Sequence, residues 1–312
     1  MRRMMLGWVL LGLTGCDLGT TNPEPVSAPP PQVWTAARAS NAFAYVEGLV
    51  RDCTPRDAGT PGGEKAACWI RDRLAEQGLP ARIDRFTEPT PRGPREFRNV
   101  LATLPGTGDT WIILLSHFDT MSGIGEGFQG ANDSGSSTGL LLELAGALRD
   151  AGPREPSILF GFMDGEECMI AYGAQDGFHG SKRLARQMKE EKRKIRAVIL
   201  TDMVGDRDLK LTLPRNSTAA LRVLALEAAE AVGLRDHIGL FDGNIYDDHQ
   251  AFLDLGYPAV NLIDFSYGSR PGLNDYWHTR QDTLDKLSVE SLRITGAIVL
   301  EMVNRLSSPA RR

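Results

Sequence analysis

The chain has 312 residues, 42% of them hydrophobic and 24% charged, with 40 acidic against 35 basic side chains and a formal net charge of −5. That composition is ordinary for a soluble globular protein, and the length suits a single large α/β unit. The slightly acidic balance, with no cluster of Lys and Arg interleaved with aromatics, argues against a nucleic-acid partner.

In chain order, Arg2 and Arg3 precede an apolar stretch, residues 4–13, that ends at Thr14-Gly15-Cys16. The stretch is too short to span a bilayer and has the charge-then-apolar order of a secretory signal, so residues 1–16 read as an export segment. Leu13-Thr14-Gly15-Cys16 resembles a bacterial lipoprotein processing site. That resemblance implies cleavage before Cys16, a lipid on its thiol, and an exported protein anchored to the membrane of the bacterial cell envelope. Residues 17–32, rich in Pro, Thr and Ser, cannot bury a core and read as an extended tether. Residues 33–312 are left as one domain. Its cysteines are Cys53, Cys68 and Cys168, and an exported chain meets a compartment that permits disulfides. The expected pair is Cys53 with Cys68, leaving Cys168 as a free thiol of structural character.

Apolar positions at helical spacing predict helices over 35–51 and 63–77, followed by a short alternating strand over 81–86. Residues 99–104 and 111–116 read as a hairpin-like pair around Pro105-Gly106-Thr107-Gly108. Thereafter strands and helices alternate, with a helix over 136–149, buried strands over 157–162 and 197–201, a helix over 216–232, a strand over 258–263 and a final helix over 289–306. The basic run 189–194 reads as a solvated helix end. Buried runs separated by helices imply an α/β fold in a single domain. Its central, mostly parallel twisted sheet has an antiparallel hairpin near its start and helices on both faces. In such sheets function collects in the loops at the strands' carboxyl ends.

Chemistry-bearing residues fall at those ends. The run 111–116 delivers His117, with Asp119 two residues on, placed to orient the imidazole. Gly130-Ala131-Asn132-Asp133-Ser134-Gly135 is a small-residue turn that presents Asp133 at a helix start. The strand over 157–162 runs into Met163-Asp164-Gly165-Glu166-Glu167, and adjacent glutamates there project differently, so that one can bind a metal while the other moves protons. The strand over 197–201 ends in Asp202, and Tyr276-Trp277-His278-Thr279 carries a histidine in an aromatic setting. Together these supply carboxylate and imidazole ligands for zinc with a spare base. His179 and His237 lack such a context and read as surface residues.

The order His-x-Asp, Gly-Ala-Asn-Asp-Ser, Asp-Gly-Glu-Glu, Asp-Met-Val-Gly, Asp-Asp-His, Trp-His-Thr resembles the zinc aminopeptidase superfamily that also contains the animal-type glutaminyl cyclases. The cyclase branch is the closer match, through Asp164-Gly165-Glu166-Glu167, Gln175-Asp176, Gly180-Ser181, and Ile245-Tyr246-Asp247-Asp248-His249. The resemblance implies that Asp133, Glu167 and His278 bind zinc, that Glu166 is the catalytic base, and that Asp202 and Asp247 form an assisting carboxylate pair sharing a proton. A cyclase would turn the N-terminal Gln of a peptide into pyroglutamate with loss of ammonia. An aminopeptidase would use His117 and Asp202 for a second zinc, Asp133 as the bridge, and Glu166 to activate water. A lipid-tethered binding protein without catalysis is the third reading. Tyr172, Met121 and Asn261 stand where the cyclase branch has tryptophan, lysine and histidine. None of these is a zinc ligand, so the departures bear on substrate choice. Tyr172, Tyr246, Asn261 and Trp277 are the expected substrate-pocket residues.

Overall fold

A computed structural model describes residues 33–307, so the export segment 1–16 with Cys16, the tether 17–32 and residues 308–312 lie outside the described residues. The domain begins with two helices, α1 (Ala36–Cys53) and α2 (Pro61–Glu76). Each is started by a threonine whose hydroxyl accepts an otherwise unpaired amide of the first turn: Thr35 from Arg38, Thr60 from Gly63. Strands β1 (Ala81–Glu88), β2 (Arg95–Leu104) and β3 (Thr110–His117) follow, then α3 (Ser137–Asp150) and β4 (Ser157–Met163). The rest is α4 (His179–Glu190), β5 (Lys194–Asp202), β6 (Leu211–Pro214), α5 (Ala219–Ala231), β7 (Ile238–Phe241), α6 (His249–Leu253), β8 (Ala259–Ile263) and α7 (Val289–Ser307).

The strands form one 8-stranded sheet in the order β1-β2-β4-β3-β5-β8-β6-β7. Its centre is parallel: β3 pairs with both β4 and β5, and β5 with β8. Antiparallel pairing is confined to β1 with β2, β2 with β4, and β6 with β8. Along β3 the apolar residues alternate between cores, as a side-chain period of two requires. Ile112 and Leu114 face the larger core, with Val46 of α1, Leu141 of α3 and Val299 of α7. Ile113 and Leu115 face the smaller one, with Leu184 and Met188 of α4 and Phe252 of α6. Burial on both faces is why the central strands read as unbroken apolar runs.

The expected hairpin between 99–104 and 111–116 does not form, because β4 lies between β2 and β3. The Pro-Gly segment that looked like a hairpin turn bonds elsewhere: Thr107 and Gly108 donate their amides to Arg154 and Glu155, at 2.8 Å each, on the approach to β4. A Cβ on Gly106 would lie 2.4 Å from the Pro156 carbonyl carbon, so this contact requires glycine. The hairpin at the start of the sheet is β1 with β2 instead. The expected disulfide is also absent, since Cys53 and Cys68 are both free thiols. Cys53 is buried at the end of α1, whereas α2 buries the stripe Gly63, Ala66, Ala67, Ile70 and Leu74, and Cys68 sits half-exposed beside it. The basic run 189–194 is exposed at the end of α4, as its charge dictates.

Arg56, 0% exposed, ties the first helices to the site. Its guanidinium donates to the carbonyls of Phe118 (2.6 Å), Gln129 (2.7 Å) and Gly130 (2.6 Å), fixing both ends of the segment that leads from β3 to the turn before α3. Arg56→Leu strands the Phe118 and Gln129 carbonyls, leaves that of Gly130 the Gly135 amide alone, and is expected to cost about 3 kcal/mol of unfolding free energy. Urea titration reads this as a lower midpoint at unchanged slope. A loss below about 1 kcal/mol would mean that water or a relaxed loop replaces the clamp.

Candidate metal centre

The parallel strands of the central sheet end at one edge, and the loops there carry the acids and histidines. His117 is the last residue of β3, Asp202 the last of β5, and Asp164 through Glu167 follow β4 directly. Asp133 comes from an irregular turn, 131–136, whose peptide bond between Asp133 and Ser134 is cis. His278 sits in the long connection from β8 to α7, in a left-handed conformation with φ of 54° that is uncommon for a residue with a side chain.

Asp133 is the hub. One carboxylate oxygen lies 3.1 Å from His117 Nε2, and the other lies 3.3 Å from His278 Nε2. The His117 Nε2 atom is also 3.3 Å from Asp202, and the His278 Nε2 atom is 3.1 Å from Glu167. Two ligand sets therefore share one carboxylate: Asp133, Glu167 and His278, and His117, Asp133 and Asp202, the ligand atoms of each lying within 4.8 Å of one another. The ring nitrogens of His117, 1% exposed, approach these carboxylates without hydrogen-bond geometry. Imidazole nitrogens and carboxylate oxygens converging in a dry site are donors suited to zinc, and buried nitrogens aimed at carboxylates without bonding them fit a cation held between the groups.

Electrostatics point the same way. Burial would push the His278 ring down, but Asp133 and Glu167 outweigh it and bring the ring to about 10. Burial would raise Asp133, yet His117 and His278 hold it below the ordinary carboxylate range. Glu167 is pushed up to about 7 by burial and by Asp133, against the pull of His278. So many carboxylates in a dry site hold either protons or a cation, and a bound dication favours their ionised forms.

Supporting groups fix the ligands. Asp119, 0% exposed, accepts the amides of Glu166 and Glu167 at 3.2 Å each, and lies 3.5 Å from His117 Nδ1. It thus stands beside the ring and pins the glutamate turn. Gly165, at φ 73°, lets that turn pass, since a Cβ there would meet Phe97 at 2.5 Å. Asp282 was not anticipated from sequence. It accepts the amides of Asn132 (2.7 Å) and Asp133 (3.1 Å) and the Tyr267 hydroxyl (2.9 Å), holding the hub's backbone. Its only local signal was an Asp shortly after the His278 motif.

A cleft of about 240 Å³ opens above the ligands, lined at its base by Asp133, Glu166 and Asp247 and at its mouth by Tyr246, Phe265 and Trp277. That is below the ~300–1,000 Å³ usual for larger ligands and suits one residue at a chain end. Trp277 stacks on the His278 ring at 3.9 Å and meets Phe265 edge-on. Tyr172 lines the cleft, stacks on Phe178 and donates its hydroxyl to Glu167 at 3.1 Å. Asn261 departs from its expected place on the pocket wall. It is 0% exposed on β8 and donates to Asp247 at 2.7 Å, behind the cleft, because strand alternation turns its side chain inward. His179, expected at the surface, is 2% exposed. It stacks on Phe97, and its Nδ1 lies 2.8 Å from Glu88. The α4 amphipathic pattern, masked by its many charges, was what hid it. His237 is half-buried in a short turn away from the ligands. Cys168 is buried, and burial pushes its thiol up, in keeping with a structural role.

Residues 99–303, which include both ligand sets, match the profile of peptidase family M28. The chain belongs to that family. Among solved M28-like structures, a glutaminyl cyclase from an Acidobacteriales bacterium is 34% identical, covers 92% of this chain and 99% of its own, and superposes with a TM-score of 0.83. The glutaminyl-peptide cyclotransferase of Drosophila melanogaster is 25% identical over 84% of this chain and 79% of its own length. A zinc-dependent exopeptidase from Parabacteroides distasonis, 23% identical with a TM-score of 0.77 over 89% of this chain and 100% of its own, shares the fold. The chain's relatives are glutaminyl cyclases and zinc exopeptidases, and this M28 member is an enzyme of that type.

Proposed function

We propose that this enzyme is a zinc-dependent glutaminyl-peptide cyclotransferase. The observation that carries the reading is Asp247. Burial, followed by its neighbours Asp202 and Asp248, holds its carboxyl well above the ordinary range. Asn261 and the Asp248 amide, at 2.7 and 2.6 Å, fix it in place. Raised in the field of Asp202, Asp247 is suited to share a proton with that carboxylate, which would leave Asp133, Glu167 and His278 as one complete ligand set. The likeness to the Acidobacteriales cyclase over nearly its whole length supports the same choice.

Zinc held by that set supplies a Lewis acid for the side-chain amide of an N-terminal glutamine. The chain's own residues do the rest. The aromatic mouth holds the first residue with its side chain folded toward its own α-amine and excludes bulk water. The α-nitrogen bonds to the side-chain carbonyl carbon, the bond from that carbon to the amide nitrogen breaks, and ammonia leaves. Glu166 takes the proton from the α-amine and gives it to the departing nitrogen. Burial pushes the Glu166 carboxyl well above its ordinary range, His117 opposing and Glu167, Asp247 and Asp248 adding to the shift. A dication held by that set would oppose the shift, and a carboxyl under these opposing influences is suited both to accept and to return a proton.

A second reading, a metallo-aminopeptidase, is favoured by His117, whose Nε2 lies 3.1 Å from Asp133 and 3.3 Å from Asp202, a ready second set. Incubating the purified protein with zinc and a Gln-Ala dipeptide separates the two. Loss of ammonia with the peptide bond intact is the expected product by mass spectrometry. Release of free alanine establishes the peptidase, with two zinc ions per chain, and no reaction returns the reading of a binding protein.

A further inference from the structure

Between β7 and α6 the chain runs through residues 242–248 without regular structure, yet this loop carries Tyr246 at the mouth of the cleft and Asp247 at its base. A loop without strand or helix partners needs other groups for its backbone. Here they come from the segment between β6 and α5. Asn216 donates its amide nitrogen to the Ile245 carbonyl at 2.9 Å and accepts the Ile245 amide at 3.2 Å, copying with one side chain the pairing of a neighbouring strand. The Arg215 amide adds a bond to the Gly243 carbonyl at 2.8 Å. On its other side the Asn216 amide nitrogen lies 2.9 Å from Gln250 Oε1 and 3.2 Å from His249 Nε2, so the loop is joined to the first turn of α6. Burial pushes His249 down to about 3, so the ring beside that amide stays neutral. The segment that holds Asn216 also meets β8, where Ser217 accepts the Asn261 amide at 3.2 Å and Asn261 in turn holds Asp247.

We infer that Asn216 is a positioning residue for the reaction: its carboxamide fixes residues 244–247 so that Tyr246 and Asp247 keep their places in the cleft. Asn216 acts only through those two, one expected to hold substrate and the other to assist proton movement, and the inference rests on the cyclotransferase reading for their roles. None of the candidate zinc ligands lies in this loop or on the segment that holds it.

The test is saturation kinetics of the full chain with zinc on a Gln-peptide, comparing Asn216→Ala with Tyr246→Ala and Asp247→Asn. Tyr246→Ala is expected to raise KM alone and Asp247→Asn to lower kcat alone. Asn216→Ala is expected to do both, lowering kcat/KM by ~10- to 100-fold, with zinc per chain unchanged and the protein still fully folded at the assay temperature. Asn216→Asp, which keeps the acceptor for the Ile245 amide and loses the donor, should fall between. Kinetics of Asn216→Ala equal to the parent would overturn the inference. So would a fall in kcat at constant KM accompanied by lost zinc or by unfolding at the assay temperature, which is the signature of a smaller folded fraction. The ratios are taken on whichever product the parent forms, so a parent that releases alanine refutes the cyclotransferase reading while leaving the effect of Asn216 measurable.

Discussion

Glu166→Gln lowers kcat by about two to four orders of magnitude, the usual range for removing a general base, and leaves the zinc content unchanged. The substitution keeps the size of the side chain and removes its capacity to take a proton. Glu166 belongs to neither ligand set, whereas its neighbour Glu167 belongs to one. The Glu166 amide donates from the main chain to the Asp119 carboxylate, a bond that does not use the Glu166 side chain. Turnover of a Gln-peptide and metal analysis on the same sample read the two quantities separately. Loss of zinc with activity would mean that the glutamates have exchanged roles. Turnover close to the parent would remove Glu166 from the chemistry.

Asp133→Ala acts on the metal itself and is expected to abolish both activity and zinc retention. Its two oxygens face different histidines, 3.1 Å from His117 and 3.3 Å from His278, so one truncation breaks both possible sets. Disturbing a group that merely supports a metal ligand already costs ~10- to 100-fold in affinity, and losing the ligand should exceed that. The turn itself should survive, because Asp282 holds the amides of Asn132 and Asp133 rather than their side chains. Zinc bound only by the folded state stabilises it by about 2.7 kcal/mol at a concentration 100-fold above Kd. The parent's thermal midpoint should therefore climb with added zinc while the variant's stays flat. A variant whose midpoint still climbs, or that retains stoichiometric zinc, would show that Asp133 is not the hub.

The sequence by itself determined where chemistry could occur. Strands buried on both faces are written as unbroken apolar runs; His117 and Asp202 close such runs and Glu166 and Glu167 follow one after Asp164 and Gly165, so the strand-end rule puts them at one edge of the sheet without any tertiary contact. Asp133 and His278 were legible from the small-residue turn and the aromatic setting around them. Long elements such as α1 and α7 were legible too, because their burial repeats every three to four residues.

Only the tertiary structure decided which strands pair and which residues stand behind the site. β4 pairs with both β2 and β3 and so lies between them, and the amides of Thr107 and Gly108 bond the approach to it, an arrangement no local turn signal encodes. Asp282 reaches the Asn132 amide across 150 positions, Arg56 reaches Gly130 across 74, and Asn216 reaches Ile245 across 29. Asn261, expected at the pocket from the resemblance alone, donates to Asp247 from β8 behind the cleft. Periodicity and end-of-strand position are properties of neighbouring residues and can be read along the chain. A hydrogen bond between distant segments depends on how every element between them packs, and that exists only once the chain has folded.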